Sequence, residues 1–275
     1  MKIALQHQLI PGRTNGDRAK WARDHGVAGI ELGVCGPSFD DTRKTADQVA
    51  AHVPVCSVCG NATPDGRSSF DFLDADPAKR RASIDSSKAI LEFCGQVGAA
   101  GQVVPPIFGP PVVPDLSPVM DPLAIEENLM VAALEELGPW AAQHGTLFLL
   151  EPLNRYEQHY LRRQSDGVRV IEKAAVPGAA LLSDFFHMHI EETDTPEAIV
   201  AAGRLVGHIH LADNTRLEPG TGDIDFVAGF TALNKIGFSG HMAYECQISG
   251  DEEADKERNL AKSIEFVANC IVEAG

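Results

Sequence analysis

The sequence predicts an α/β protein, a single (β/α)8 barrel that spans residues 1–275. Short apolar runs rich in β-branched residues recur along the chain and alternate with longer amphipathic stretches. The runs are continuously apolar, as is typical of parallel strands that are buried on both faces. Eight such units share the 275 residues, about 34 residues each, which is enough for a strand, a helix and their connections.

Eight segments carry the strand pattern: Ile3–Gln6, Gly29–Leu32, Val53–Cys59, Gly101–Ile107, Leu147–Pro152, Ala180–Asp184, Gly207–Ala212 and Met242–Cys246. Capping residues and amphipathic patterns predict five helices: Ala78–Val97, Pro122–His144, Glu197–Ala202, Asp225–Ile236 and Asp255–Val272. The proline-rich stretch Pro105–Pro122 is predicted as a long loop. A doubly wound open sheet is the alternative fold, but no glycine-rich dinucleotide-binding loop follows the first strand.

The composition argues against several classes of partner. Lys and Arg number 23 and Asp and Glu number 39, so the formal net charge is −16. A negative excess disfavours binding to nucleic acid or to an anionic membrane surface. The chain shows neither an apolar signal segment at its start nor a run of about 18 apolar residues, and we therefore expect a cytoplasmic protein with a small-molecule substrate.

The six cysteines are scattered and do not form a disulfide framework. Cys56 and Cys59 have the C-x-x-C spacing, but both lie on one predicted strand. Residues three apart on a strand face opposite sides, so these two thiols are not expected to share a metal or a redox function.

Four consecutive predicted strands end in ionisable side chains: Glu151, Asp184, His210 and Glu245. Catalytic side chains of (β/α)8 barrels lie at the C-terminal ends of the strands, so we expect these four to meet at one mouth. Three converging carboxylates repel one another, and a divalent cation relieves that repulsion. Three oxygen ligands and one imidazole suit Mn²⁺, Mg²⁺ or Co²⁺ better than a structural zinc. Four consecutive strand ends of this kind favour a metal site over isolated solvated or core residues.

Three segments in the second half of the chain resemble motifs of the xylose-isomerase-like barrel superfamily. They are Glu151-Pro-Leu-Asn-Arg155-Tyr-Glu157, Asp184-Phe-Phe-His187-Met188 and Gly207-His-Ile-His210-Leu-Ala-Asp-Asn-Thr-Arg216. The segment from Pro219 to Phe226 and the pair Tyr244-Glu245 are also similar. The likeness covers about residues 146–247 and is strongest to the ketose 3-epimerase and hydroxypyruvate isomerase group.

The resemblance implies a role for each matching residue. Glu151, Asp184, His210 and Glu245 look like the ligands of one divalent metal, with Mn²⁺ preferred, and Glu151 and Glu245 also look like the acid/base pair on opposite faces of the sugar. His187 and Arg216 look like contacts to substrate oxygens, and Glu157 like a contact to the terminal hydroxyl end. The group often associates through the helical face, so a homodimer or homotetramer is expected.

The implied chemistry is the epimerisation or isomerisation of a small ketose or hydroxy-keto compound. A metal-stabilised enediolate forms when one carboxylate removes a proton next to a carbonyl, and the other carboxylate returns the proton. The main alternative is a lyase on the same scaffold, an inosose-type dehydratase or a β-keto-acid decarboxylase. An apurinic-site endonuclease is disfavoured by the net charge of −16, and a non-catalytic sugar-binding module would not need two flanking carboxylates.

Other polar residues near the strand ends are assigned supporting or structural roles. Asn154 and Arg155 are expected to support Glu151, and His208 is expected to be a hydrogen-bonded core histidine. Gln6 and Glu31 end the first two strands, where each can reach the pocket, although a structural role is favoured. Arg13 and Arg67 could bind a substrate phosphate, but solvated loop arginines are favoured. His189 and Glu191-Glu192 are expected to lie in a loop.

Overall fold

A computed structural model describes residues 1–34, 39–61 and 70–275. Eight strands form one closed barrel, in which each strand pairs with the next along the chain and the first pairs with the last. Every pair is parallel, and β1 (Lys2–Gln6) closes the barrel against β8 (His241–Tyr244). The prediction of a (β/α)8 barrel is therefore confirmed, and the open-sheet alternative is wrong.

The strands between them are β2 Gly29–Gly33, β3 Val55–Cys59, β4 Gly101–Val104, β5 Leu147–Leu150, β6 Ala179–Asp184 and β7 Val206–Leu211. All eight predicted strands are present, but several end earlier than predicted. β4 stops three residues before Ile107 and β5 stops before Pro152. The reason is that proline has no N–H to donate to a sheet, so the chain leaves the ladder at these positions.

The helices of the described residues are α1 Asn15–Asp24, α2 Phe39–Val49, α3 Pro77–Val97, α4 Pro122–Gln143, α5 Gln164–Ala174, α6 Phe185–Glu191, α7 Thr195–Ala202, α8 Phe226–Lys235 and α9 Glu253–Glu273. The five predicted helices correspond to α3, α4, α7, α8 and α9 within one or two residues at each end. Asp76 and Asp121 cap α3 and α4 as expected, each with proline at the first helical position. α1, α2, α5 and α6 were not predicted.

The core consists of apolar side chains between the barrel and its surrounding helices. Phe148 of β5, for example, is fully buried and meets the ring of Phe72 edge-on, with the ring centroids 5.9 Å apart. Within the part of the chain that the structure describes, no helix has both the length and the apolar character needed to cross a bilayer.

Candidate active site and metal centre

The four strand-end residues meet at the C-terminal mouth of the barrel. Ligand atoms of Glu151, Asp184, His210 and Glu245 all lie within 4.8 Å of one another. The first three side chains are buried, and that of Glu245 is 24% exposed. A cluster of this kind, with one member open to solvent, has access for a ligand from the mouth.

Strand register explains why residues so far apart in sequence converge. Asp184, the last residue of β6, is the direct neighbour of His210, the second-to-last residue of β7. Glu245 follows β8, and its backbone N–H donates to the carbonyl of Leu211 at 3.1 Å. On the other side, the N–H of Glu151 donates to the carbonyl of Val104 at 3.0 Å. These backbone hydrogen bonds extend the sheet by one residue beyond β5 and β8 and so fix the positions of Glu151 and Glu245.

His210 lies at the centre of the cluster. Its Nδ1 is 3.0 Å from Glu245 Oε2, 3.6 Å from Glu151 Oε1 and 3.8 Å from Asp184 Oδ2. Its Nε2 points down into the barrel, 3.0 Å from Glu31 Oε1. Both ring nitrogens thus face carboxylates, which raises the pKa of His210 well above its usual range despite complete burial.

The acidic members of the cluster differ in their protonation. Burial raises the pKa of Glu151 to about 7, and the charge of Glu245 adds to this effect. Burial also disfavours the charged form of Glu245, but His210 and Arg216 outweigh it and lower the pKa of that carboxyl. Arg216 and His187 likewise overcome burial and lower the pKa of Asp184. Carboxyl groups whose environments separate their pKa values are suited to opposite acid and base roles.

These residues fit a divalent cation. Glu151 Oε1 and His210 Nδ1 are buried and have no hydrogen-bond partner among the residues that the structure describes, although both can act as ligands and point toward the same region. Buried polar atoms are rarely left unpaired unless an ion or water satisfies them. Three carboxylates and one neutral imidazole nitrogen are a suitable donor set for Mn²⁺ or a similar ion.

Arg216 lies directly on the cluster. Its guanidinium donates to Asp184 Oδ2 at 2.7 Å and to Glu245 Oε2, and it stacks 4.7 Å from the ring centroid of Phe186. Its backbone has a φ of 60°, a left-handed conformation that is unusual for a residue other than glycine. The loop after β7 therefore has a strained backbone at Arg216, the residue whose guanidinium binds two carboxylates of the cluster.

His187 and Glu157 form the next part of the wall. His187 Nε2 is 3.9 Å from Asp184 Oδ2, and its Nδ1 is 3.8 Å from Glu157 Oε1. Asn154 links these two, because its amide donates to His187 Nδ1 at 2.8 Å and to Glu157 Oε1 at 2.9 Å. The structure thus brings all seven predicted site residues to one mouth. Asn154 was expected to support Glu151, but it binds His187 and Glu157 instead.

Two expectations about neighbouring residues are wrong. Arg155 does not support Glu151; its Nε donates to Glu191 Oε1 at 2.8 Å. Residues His189 and Glu191 do not lie in a loop but in α6, where Glu191 is buried under Arg155. Helix formation directly after Asp184 turns Glu191 inward, and a buried carboxylate requires a partner such as this guanidinium.

The structure also shows the environment of a loop arginine and of the two cysteines with C-x-x-C spacing. Arg13 is exposed, as expected, and Arg67 lies outside the described residues. Cys56 is buried, whereas Cys59 Sγ lies 3.8 Å from Glu245 Oε1. The cysteines described as free include both of these residues.

Sequence reasoning underestimated a second layer beneath the cluster. Glu31 is fully buried and contacts His208, His210, Gln6 and Ser57. The available signal was a glutamate inside the otherwise apolar strand Gly29–Gly33, since an isolated buried carboxylate is costly unless it has hydrogen-bond donors. His208 lies in this layer as a hydrogen-bonded core histidine.

A closed eight-stranded barrel with this cluster defines a class of (β/α)8 proteins whose polar site lies at the C-terminal strand ends. Residues 19–270 match the family model described as xylose isomerase-like TIM barrel. The chain belongs to this family, as its motifs suggested.

Named relatives agree with this assignment. The chain is 30% identical to 3-dehydro-D-guloside 4-epimerase of Escherichia coli K12, covering 98% of this chain and 100% of that protein. It is 25% identical to the ketose 3-epimerase of Arthrobacter globiformis, covering 94% and 88% of the two chains. The crystal structure of apo 3-keto-D-glucoside 4-epimerase from E. coli superimposes with a TM-score of 0.83 at 27% identity, covering 98% of this chain and 100% of that one. These relatives are isomerase-type enzymes, and the prediction of an enzyme of this type is confirmed.

Proposed function

We propose that the protein is a divalent-metal-dependent sugar epimerase that inverts a carbon next to the carbonyl of a small keto sugar. The observation that carries this proposal is the convergence of Glu151, Asp184, His210 and Glu245 within 4.8 Å at the barrel mouth. Similarity to sugar 4-epimerases and ketose 3-epimerases supports the substrate class.

The same four residues would hold the metal, with Mn²⁺ preferred over Mg²⁺ and Co²⁺. When bound, such a cation stabilises negative charge that develops on neighbouring oxygens of the substrate. His210 supplies its Nδ1 lone pair once that nitrogen has lost its proton, and the three carboxylates supply oxygen. Arg216 shares Asp184 and Glu245 with this site, so it reduces the repulsion between them.

Glu245 and Glu151 are assigned the proton transfers. Glu245 has a lowered pKa, so it is ionised at neutral pH and can remove the proton next to the carbonyl. Glu151 is assigned the delivery of a proton to the opposite face of the same carbon. In the reverse reaction the two residues exchange roles. Return of the proton to the adjacent carbon would instead give the aldose–ketose isomer.

Arg216, His187 and Glu157 are assigned to substrate binding. The guanidinium of Arg216 and the imidazole of His187 both lie close to Asp184, where they can donate to substrate oxygens. Glu157 is 41% exposed along its side chain and lies at the outer end of this row, so it can accept from the far hydroxyl end of the sugar. Phe70 and Phe108 meet edge-on, with ring centroids 5.3 Å apart, beside a cavity of about 330 Å³ that Asp71 and Asp74 also line.

The lyase remains the alternative, because a dehydratase or decarboxylase would use the same carboxylates and cation. The organisation of residues 1–275 as one domain, the cytoplasmic location and assembly as a homodimer or homotetramer remain predictions. Analysis of the reaction products separates an epimerase from a lyase, since only a lyase releases water or CO₂.

The direct test incubates Mn²⁺-loaded protein with a panel of keto sugars in D₂O. An epimerase incorporates deuterium at the inverted carbon, and product analysis identifies which carbon that is. We expect Glu151→Gln and Glu245→Gln each to lower turnover by more than about 100-fold, since positioned acid–base groups contribute roughly 10²–10⁴-fold. Both variants must retain wild-type circular dichroism for the comparison to count.

A matched control is Glu126→Gln. Glu126 is a buried glutamate of α4 that contacts His159 at 2.6 Å, outside the cluster. This variant should keep activity within a few-fold of wild type. Full turnover after complete removal of divalent metal, or in either cluster variant, would contradict the proposed function.

A further inference from the structure

Glu31 on β2 is a buried carboxylate whose partners are all hydrogen-bond donors from the barrel interior. Its side chain is 0% exposed, and its ion-pair contacts in the described chain are the rings of His208 and His210. Burying a carboxylate in an apolar interior is costly unless its oxygens accept several hydrogen bonds. The arrangement of those bonds therefore determines what Glu31 does.

Oε1 of Glu31 lies near two donors and Oε2 near three, because His210 Nε2 is also 3.2 Å from Oε2. Oε1 accepts from Gln6 Nε2 at 3.0 Å and lies 3.0 Å from His210 Nε2. Oε2 accepts from the Ser57 hydroxyl at 2.7 Å and lies 3.1 Å from His208 Nε2. An ionised carboxylate can only accept, so each imidazole nitrogen that faces it must carry the hydrogen.

These hydrogen bonds to Glu31 specify the tautomer of His210. When His210 is neutral, as a metal ligand must be, its imidazole carries one hydrogen, and Glu31 requires it on Nε2. The lone pair is therefore on Nδ1, the nitrogen that faces Glu245, Glu151 and Asp184. Hydrogen bonds to the outer nitrogen commonly set ring orientation and ligand strength in histidines that bind metals.

Gln6 extends the same control to Glu245. Its Nε2 has two hydrogens, and it donates to Glu31 Oε1 and to Glu245 Oε1, each at 3.0 Å. Its carbonyl oxygen accepts from Gln8 Nε2 at 2.6 Å, which fixes the direction of the amide. Glu245 Oε1 is thereby occupied, and Oε2 is directed at His210 Nδ1, 3.0 Å away.

We propose that Glu31 is a positioning residue for the metal centre: it holds His210 with its Nδ1 lone pair toward the cluster and, through Gln6, orients the carboxylate of Glu245. The inference rests on the proposed function, because it assigns the network a role only if the cluster binds a cation. Glu31 touches no reacting atom and acts through these two residues.

The test compares Mn²⁺ binding by wild type, Glu31→Gln and Glu126→Gln, measured by calorimetric titration without substrate. Glu126→Gln is the matched control, since it also neutralises a fully buried glutamate hydrogen-bonded to an imidazole. We expect Glu31→Gln to weaken Mn²⁺ binding roughly 10–100-fold and Glu126→Gln to leave it within about twofold. Glu31→Asp keeps the charge and should recover part of the loss.

A second readout follows His210 itself in ¹⁵N-histidine-labelled, Mg²⁺-loaded protein. The wild-type ring should carry its hydrogen on Nε2, and this resonance should move upfield in Glu31→Gln, because an amide accepts more weakly than a carboxylate. Its assignment follows from its loss in His210→Asn.

The outcomes separate this inference from the proposed function. If wild-type protein fails to bind Mn²⁺, the proposed function itself is wrong. If wild type binds but Glu31→Gln has equal affinity, or if the wild-type hydrogen lies on Nδ1, the positioning role is overturned. Should Glu31→Gln fail to fold, Glu31→Asp decides: weaker binding than wild type supports the role, and equal binding refutes it.

Discussion

Asp184 lies where β6 ends and α6 begins, and its two oxygens have different partners. Oδ1 accepts from the backbone N–H of Phe186 at 2.7 Å and of His187 at 3.2 Å, so it caps the helix. Oδ2 accepts from Arg216 and faces His210. The helix cap thus holds the carboxylate in the one orientation that presents Oδ2 to the cluster.

Asp184→Asn separates these two functions. The amide oxygen can still cap α6, but an NH₂ group in place of Oδ2 would face Arg216 and cannot bind a cation. We expect Mn²⁺ affinity to fall by more than the roughly 10–100-fold typical of losing an outer hydrogen-bond partner, as measured by titration calorimetry. Asp194→Asn, which alters the equivalent cap of α7, is the control and should bind normally. Equal affinity of both variants would count against Asp184 as a ligand.

At the scale of elements, local sequence patterns predicted the strands better than the helices. The strands are continuous apolar runs, and this pattern can be recognised within each short segment without knowledge of the rest of the chain. α6 has only seven residues and starts at the residue after Asp184, without a loop between strand and helix. α1 is largely polar, and its start depends on the capping box between Thr14 and Asp17. Short or polar helices of this kind are stabilised mainly by tertiary packing, which the sequence pattern does not display.

Strand β4 begins at a glycine because neighbouring backbone approaches closely. A Cβ atom at Gly101 would lie 2.0 Å from the carbonyl oxygen of Leu147 on β5. We expect Gly101→Ala to destabilise the protein by about 3 kcal/mol or more, as substitutions that force backbone apart do. Urea unfolding measures this free energy.

The control for that prediction is Gly16→Ala in α1. The nearest atom to a Cβ at Gly16 is 3.9 Å away, so alanine fits there. Replacing a helical glycine by alanine stabilises by about 0.5–1 kcal/mol. If both variants unfolded at the same urea concentration as wild type, the close contact between β4 and β5 at Gly101 would not contribute to the free energy of unfolding.

On the scale of the whole molecule, the two ends of the barrel differ in their chemistry. The C-terminal ends of the strands carry the charged cluster, whereas the opposite end contributes to stability. His241 opens β8 at that opposite end and is the register partner of Lys2 on β1. Burial lowers the pKa of His241 from 6.5 to about 4, and the nearby charges of His208 and Lys2 act in the same direction.

This shift predicts how stability depends on pH. The folded state resists protonation of His241, whereas the unfolded chain takes up a proton near pH 6.5. The contribution of His241 is therefore complete above pH 6.5 and is lost as the pH falls toward about 4. His241→Gln removes this loss, so its free energy of unfolding relative to wild type should rise between pH 6.5 and 4.

Urea unfolding of wild type and His241→Gln at several pH values tests the prediction. A His241→Gln curve parallel to that of wild type would show that this histidine does not couple folding to acid.

The pattern of apolar runs predicted the strand order and the four strand-end residues Glu151, Asp184, His210 and Glu245. Each of these four could be inferred because an apolar run and the polar residue that ends it are neighbours in the chain, whereas Glu157, His187 and Arg216 were expected only from the resemblance to family motifs. Which side chains touch could be learned only from the folded chain: Gln6 contacts Glu245 across 239 positions and Glu31 contacts His210 across 179. Those contacts depend on barrel closure and on register between strands, physical relations that no local pattern encodes.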